Sequence, residues 1–480
     1  MMVQVTNASK PVYTTWEAIN WQHVKLRVKQ LQMRIAKAIR EGKYRRANSL
    51  QWILTHSFYA KLLAIRRVTQ NRGSKTPGID NILWRTSRQK LNAVYQLRRH
   101  GYKPLPLRRI YIPKKNGKLR PFSIPTIKDR AMQSLYLLTL EPIAETIADK
   151  NAYGFRPYRS CADAKAQCFN VLCRKVSATW ILEGDIKSCF DKINHNWLLQ
   201  NIPMDKSMLD KWLKSGYVEL QHLYQTHEGL AQGGSISPTI LTITLHGLEN
   251  AIAAATSSKD KVNFVSYADD FVITANSKEI LENTVKPIVA NFLKQRGLEL
   301  SDEKTLITHI NQGFDFLGFN VRKYKDKLLI KPAKKNVNTF LSNIRNTIKA
   351  KATSETSNLI YLLNPKIRGW ANYYKHAVAK ATFSKVDNEI FHMLWRWAKR
   401  RHKNKGAKWI KNKYFCTVGL DHWVFNAGVK PCQGRYKLLN LFNASSIPIK
   451  RHIKIFSNAN CYDPNYTEYF ASRRNKLMHN

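Results

Sequence analysis

Residues 263–274 read NFVSYADDFVIT, two apolar runs that meet at a pair of carboxylates, Asp269 and Asp270. Phe264 and Val265 on one side, and Phe271, Val272 and Ile273 on the other, are strand formers, and short continuous apolar runs fit strands buried on both faces. The stretch predicts a hairpin whose tip presents both acids together, although no glycine supplies the positive φ of a standard two-residue turn. Two unpaired carboxylates beside a core are costly unless a cation compensates them. Upstream, TWILEGDIKSCFDKI places Asp185 after Trp180, Ile181 and Leu182, at the end of another buried strand read over 178–186. Three carboxylates brought side by side make an oxygen-rich site suited to Mg²⁺, and two such ions about 4 Å apart can activate a hydroxyl and stabilise a leaving phosphate. An exposed Asp-Asp turn that binds nothing is the competing reading of the pair taken alone.

Working outward, Ala231-Gln232-Gly233-Gly234-Ser235-Ile236-Ser237-Pro238 lies between the acids. Paired glycines let a backbone approach a flat substrate closely, and Ser-Pro can open the next helix. Further upstream, RRIYIPKKNGKLRPFSIP predicts two short strands joined by a Lys-Asn-Gly turn. Lys118 and Arg120 there suit a triphosphate by charge and by bidentate hydrogen bonding. Downstream, GLELSDEKTLITHI offers Lys304, and FDFLGFN marks an aromatic-glycine turn within a hairpin read at 314–330.

The whole chain has 480 residues, with 80 Lys plus Arg against 32 Asp plus Glu, a net charge of +48. A hydrophobic content of 44% rules out a disordered chain, and a mean hydropathy of −0.42 without a long uncharged apolar run rules out a spanning helix. The start, MMVQVTNASK, lacks the apolar stretch of a secretory signal. Seven cysteines without a CxxC pair read as reduced thiols in a cytosolic or similar compartment, with no structural zinc. Residues 1–110 hold 23 basic and 3 acidic residues, 111–330 hold 28 and 23, 331–412 hold 19 and 3, and the remainder 10 and 3. Solubility alone would not switch the balance so sharply, so both basic flanks are expected to grip nucleic acid. In the first flank, VKLRVKQLQMRIAKAIREGKY puts Val28, Leu31, Ile35 and Ile39 on one helical stripe closed by Gly42, and LQWILTHSFYAKLLAIRRV follows as a second apolar stretch. Arg45 and Arg46 stand between these runs as phosphate contacts, as do Lys399, Arg400 and Arg401 in the second flank. Beyond 336 three helical stretches follow, at about 336–351, 357–379 and 384–403. Trp370, Trp395, Trp397, Trp409 and Trp423 read as core and not as stacking platforms, and His376 and His392 as ordinary helical residues.

This ordered set resembles the reverse transcriptase and maturase encoded within a group II intron, over nearly the whole length. Thr76-Pro77-Gly78-Ile79-Asp80 and ADKNAYGFRPYRSCADA resemble fingers blocks of that family, and Tyr267-Ala268-Asp269-Asp270 its tyrosine-any-Asp-Asp signature. Gln232-Gly233-Gly234 resembles its template-facing loop, Phe316-Leu317-Gly318-Phe319 its primer grip, and Arg368-Gly369-Trp370-Ala371-Asn372-Tyr373-Tyr374 its maturase thumb. The tail ANCYDPNYTEYFASRR resembles its DNA-binding segment. The resemblance implies an α+β right-hand polymerase: fingers with a basic N-terminal extension over 1–175, a palm with a small antiparallel sheet over 176–330, an α-helical thumb over 331–412 and a DNA-binding tail over 413–480. It implies RNA-directed DNA synthesis on two Mg²⁺ ions held at Asp185, Ile186, Asp269 and Asp270. It further implies nucleotide binding by Lys118, Arg120, Phe190, Gln232 and Lys304, with Phe190 as the bulky residue that blocks a 2′-hydroxyl. Template and primer contacts fall on Gly233, Gly234, Tyr267, Phe316, Leu317 and Gly318.

The partners implied are the group II intron RNA, target DNA and dNTPs, with no membrane, in a bacterial cytoplasm at the nucleoid or in an organelle. Ala231 stands where the family usually has proline and Thr242 where asparagine is common, which puts fidelity and rate in doubt but removes no metal ligand. The cysteine and histidine pairs of a zinc-supported nuclease are missing before Asn480, so no endonuclease is expected and the primer would come from elsewhere, such as a nascent strand at a replication fork. A splicing-only RNA chaperone and a relative recruited to another retroelement or defence system stay open. The intact Asp185, Asp269 and Asp270 weigh against the first, and the basic N-terminal segment and maturase-like thumb against the second.

Overall fold

One helix, Ile127–Ile147, is buried around its whole circumference from Asp129 to Leu140, where apolar side chains dominate. Thr126 caps it by accepting from the Asp129 amide at 3.1 Å. It lies at the centre of the first of two compact units, Met1–Ala164 with Leu182–Leu306 and Ile455–Asn480. The computed structural model describes residues 15–113, 117, 119–429 and 437–479 of the chain. Three helices cover the central one: Trp21–Arg40, Tyr44–His56 and Phe58–Gln70. The first buries Val28, Ile35 and Ile39 as the stripe requires, with Leu31 half-buried, and Gly42 ends it at a φ of +69°. Its Gln32 donates to the Leu138 carbonyl at 2.8 Å, a polar contact inside the apolar layer. The second apolar stretch is not one element but two helices. Thr55 and His56 turn their side chains back onto the Trp52 carbonyl, at 2.9 and 2.8 Å, and Ser57 goes extended.

Beyond the helices the chain is α+β with small sheets. Leu107–Pro113 and Leu119–Ile124 pair antiparallel, and Tyr217–Glu219 and His222–Tyr224 extend that sheet. A second sheet sets Asn263–Tyr267 beside Asp270–Ala275, and Asp270–Ala275 beside Trp180–Asp185. Gly184 permits this neighbour, because a Cβ there would stand 2.2 Å from the Phe271 ring. The last segment of this unit crosses the helical layer as a strap. Arg473 donates to the fully buried Asp163 at 2.9 Å, Arg159 donates to the Ala459 carbonyl at 2.9 Å, and Arg40 pairs with Asp463.

The second unit comprises Lys165–Ile181 and Ile307–Lys454. Phe314–Phe316, Phe319–Tyr324 and Lys327–Pro332 form an antiparallel sheet of three strands where the sequence predicted a hairpin. Helices Lys334–Ala350, Thr356–Tyr374 and Lys380–Arg401 follow, close to the three expected stretches. Phe415–Val418, Asp421–Val429 and Lys437–Asn440 then form another antiparallel sheet. Trp397 is buried in this unit and Trp370 stacks on Phe340 at 4.7 Å, but Trp409 and Trp423 are exposed, so the tryptophans divide between core and surface. His376 lies just past its helix and its Nδ1 meets the Lys450 carbonyl at 2.8 Å.

Candidate active site

The two acids do share one hairpin tip. Strands Asn263–Tyr267 and Asp270–Ala275 pair with Tyr267 opposite Asp270, so Ala268 and Asp269 make the turn. Ala268 takes the positive φ, +60°, that glycine would ordinarily supply. The turn is braced from below: the Ser266 amide donates to the Asn151 carbonyl and the Tyr153 amide to the Ser266 carbonyl, and a Cβ on Gly154 would stand 2.1 Å from the Ala268 nitrogen. Trp180–Asp185 delivers Asp185 to the same place from the adjoining strand.

The three carboxylates feel one another. Burial pushes the Asp270 carboxyl up to about 6, with Asp269 and Asp185 adding to the shift and Lys304 opposing it. Burial also raises Asp269, again with Asp185 adding and Arg120 and Lys304 opposing. Asp270 nevertheless remains exposed at the residue level, so an ion can reach it. Lys304 donates to the Asp185 carboxylate at 2.7 Å, an ammonium standing where positive charge is short. The donors present are carboxylate oxygens under mutual repulsion, which is the donor chemistry that fits a hard divalent cation. Among the described residues no set of three histidine, cysteine or acidic side chains stands as a finished metal cage. Ile186, beside Asp185, is buried and bridges to Leu300.

A second constellation adjoins the acids. Arg120 donates to the Gln232 amide oxygen at 2.6 Å, and the Gln232 amide nitrogen donates to Asp191 at 2.9 Å, so this side chain is held at both ends. Gly233 has a φ of +127°, and a Cβ there would fall 2.3 Å from the Ser123 carbonyl. Its close approach is thus to the strand Leu119–Ile124. Gly234 packs equally tightly, against Ser237 and Gln133. Lys118 lies outside the described residues. Phe190 is buried, and the ring of Phe155 meets it edge-on with centroids 6.3 Å apart. Tyr267 is half-buried, and its phenol is pushed up to about 12 by burial and by a hydrogen bond with Cys161.

Sequence reasoning missed Phe155, Gly154 and Asp191. Phe155 carried a usable signal, since a large aromatic directly after glycine inside NAYGFRPYRS stands out from both core and loop patterns. Its backbone φ is +58° while its ring is 46% exposed, and buried Arg156 locks the segment by donating to Glu145 at 2.8 Å and to the Asp149 and Ala152 carbonyls at 2.7 Å.

In the second unit, Leu317 and Gly318 both take positive φ, at +51° and +77°, and make a tight turn between Phe316 and Phe319. Tyr373 and Tyr374 donate to the carbonyls of Leu317 and Gly318 at 2.8 and 3.1 Å. Two motifs far apart in sequence thus form one structure. Arg45 and Arg46 are exposed on Tyr44–His56, and Lys399, Arg400 and Arg401 on the last turn of Lys380–Arg401. Arg401 is partly committed, lying 4.5 Å over the Trp397 ring and donating to the Ser354 carbonyl.

Three family descriptions match the chain in order: the N-terminal domain of reverse transcriptase over residues 16–97, reverse transcriptase (RNA-dependent DNA polymerase) over 112–321, and the group II intron maturase-specific domain over 337–415. Protein YkfC of Escherichia coli K12 is 32% identical over 311 residues, spanning 55% of this chain and 80% of that one. The group II intron-encoded protein LtrA of Lactococcus lactis subsp. cremoris is 29% identical over 414 residues, spanning 65% of this chain and 68% of that one. Among solved structures, a telomerase from Candida albicans in complex with a fragment of telomeric RNA aligns over 66% of this chain and 65% of that one, at 13% identity, but its TM-score of 0.37 is too low to bear on the fold.

Proposed function

Because the chain belongs to the reverse transcriptases encoded by group II introns, RNA-directed DNA polymerases that also serve their intron as maturases, we propose how its residues divide that work. A reverse transcriptase domain implies a divalent metal, and we assign two Mg²⁺ ions to Asp185, Asp269 and Asp270, with the backbone at Ile186 alongside. When bound, they supply the charge that favours an ionised primer 3′-oxygen and a departing pyrophosphate. In the reaction the 3′-oxygen bonds to the α-phosphorus of a dNTP, the bond to pyrophosphate breaks, and the hydroxyl proton leaves to water.

The chain's own part is to bind and orient. Arg120 and Lys304 supply positive charge for the triphosphate, and Lys118 keeps the nucleotide-binding role assigned to it from its sequence. Gln232, held by Arg120 and Asp191, keeps the loop at Gly233 and Gly234 in place beside the template. Phe190, with Phe155 against it, closes the space where a ribose 2′-hydroxyl would sit. Template and primer contacts are assigned to Tyr267 in the first unit and, separately, to Phe316, Leu317 and Gly318 in the second. We keep the fingers, palm, thumb and tail limits set out above as functional divisions, although the compact units part at Lys454, and assign target DNA to the tail and intron RNA to Arg45, Arg46, Lys399, Arg400 and Arg401. No described helix is long and apolar enough to cross a membrane, and the free thiols together with nucleic-acid substrates favour a bacterial cytoplasm at the nucleoid.

The observation that carries this reading is the convergence of three carboxylates from adjoining strands, opposed by Lys304 and, at Asp269, by Arg120. Asp185→Ala and Asp269→Ala are expected to abolish extension of a primer on an RNA template while leaving intron RNA binding nearly unchanged. If either variant extends at near the wild-type rate with Mg²⁺, the metal assignment is wrong.

A further inference from the structure

The helix Tyr44–His56 turns large rings to solvent: Trp52 is 63% exposed and Tyr44 66%. Trp52 lies nearly flat on His56, with centroids 4.2 Å apart and planes 25° from parallel. The His56 ring is fixed in turn by the Trp52 carbonyl. Beside this pair a cavity of about 420 Å³ opens between the helix and the Pro203–Lys206 segment, all within the first compact unit. Asn48 and the buried Gln51 line it, and their amides lie a loose 3.4 Å apart, so each could exchange that contact for a ligand. The surroundings are basic. The helix carries no acidic residue, Arg45 and Arg46 are exposed in its first turn, and Lys206 lines the cavity. The acid on the rim, Asp205, is paired with Arg99.

We propose that this cavity receives a single unpaired nucleobase of bound RNA, stacked against Trp52. The amides of Asn48 and Gln51 each offer donor and acceptor to the base edge, and Arg45, next to the lining Tyr44, takes an adjoining phosphate. Exposed aromatics ringed by cations are how proteins hold splayed-out bases, whereas paired bases in an A-form duplex are closed to such a pocket. A second copy of this chain is a poor occupant, since residues 1–110 hold 23 basic residues against 3 acidic ones and would repel themselves.

The site rests on the reading of the N-terminal flank as an RNA grip, and the test separates the two. Full-length protein is titrated with a hairpin RNA bearing a single-stranded loop and with the same stem as a blunt duplex, across a salt series. Trp52→Ala should weaken loop binding by roughly ten-fold without changing the salt slope, and Trp52→Phe should retain most of the affinity. Blunt-duplex binding should not follow Trp52→Ala. The double variant Arg45→Ala with Arg46→Ala should lower the salt slope on both RNAs, by up to about 2. Equal binding by wild type and Trp52→Ala, or equal losses on loop and duplex, overturns the base pocket. An unchanged salt slope in the arginine variant overturns the flank reading instead. Should Trp52→Ala convert a dimer to a monomer in sedimentation, the cavity belongs to a protein interface and the proposal falls. Matching thermal unfolding curves for Trp52→Ala, Trp52→Phe and wild type establish that the variants fold, and Asn48→Asp supplies an independent variant, expected to weaken loop binding by charge repulsion.

Discussion

Phe155 shows what one residue can reveal. A bulky side chain with φ near +58° is strained, and such strain persists only where the surroundings over-determine it. Here Gly154 against the Ala268 backbone and Arg156 in its cage of acceptors do so. Phe190→Ala should raise ribonucleotide incorporation markedly, since removing the ring relieves the clash with a 2′-hydroxyl. Phe155→Ala should do so more weakly, with a higher KM for dNTP and a smaller change in kcat, and the two changes should not be additive. Single-nucleotide insertion assays with dNTP and rNTP measure both, and an unchanged preference in both variants removes the pair from the site. The acids allow a second prediction at this scale. Asp270 has its carboxyl raised to about 6, so without metal the fold loses stability as pH rises through that value and regains it below. Asp270→Asn should therefore unfold roughly 1–3 °C higher than wild type at pH 7.5 in chelator, keep only about half of that advantage at pH 5, and be inactive. Scanning calorimetry at the two pH values decides it.

At the scale of elements, glycines decide which segments can touch. Gly233 sets the loop against Leu119–Ile124, and a methyl group 2.3 Å from the Ser123 carbonyl cannot be absorbed without moving the backbone. Gly233→Ala should cost about 1–3 kcal/mol in urea unfolding and reduce primer extension more than ten-fold, because Gln232 loses its registry with Arg120 and Asp191. Retained activity would show that the loop tolerates displacement. The turn at Leu317-Gly318 depends differently on its partners, the hydroxyls of Tyr373 and Tyr374. Elements with a clear period were legible from sequence. The helix stripe of Val28, Ile35 and Ile39, the apolar strands around Asp269 and the helices beyond 336 follow their patterns closely. The break at Ser57 was not legible, because no proline or glycine stands there and Ser57 simply takes an extended backbone between the two helices.

For the whole molecule the charge map and the C-terminal strap give separable expectations. If the flanks grip RNA, intron affinity should fall steeply with salt, and neutralising Arg45 with Arg46, or Lys399 with Arg400 and Arg401, should weaken intron binding and splicing more than extension of a short annealed primer. The reverse pattern would assign those flanks to the polymerase cleft. Deleting residues 455–480 should do more than weaken DNA binding. It uncovers Asp163, Glu141 and Arg159, each of which meets the strap, and stranding buried charge costs about 3–5 kcal/mol. The truncated chain is expected to unfold at lower temperature and to lose polymerase activity. A truncation that polymerises normally would show the strap to be dispensable for this unit.

Local pattern alone determined the strands that bear the acids and the basic flanks around a balanced middle. Each rests on residue type and spacing within a few turns of chain, where periodicity acts directly. The order of the motifs carried the family resemblance. Only the tertiary structure paired Lys304 with Asp185 across 119 residues, set Phe155 against Phe190, tied the tyrosines at 373 and 374 to the turn at 317 and 318, and folded the last residues back over the first helices. Contacts of that kind close long loops, and the loop-closure entropy they overcome leaves no period in the sequence; it is offset by burial and hydrogen bonding between partners that meet only in the folded chain.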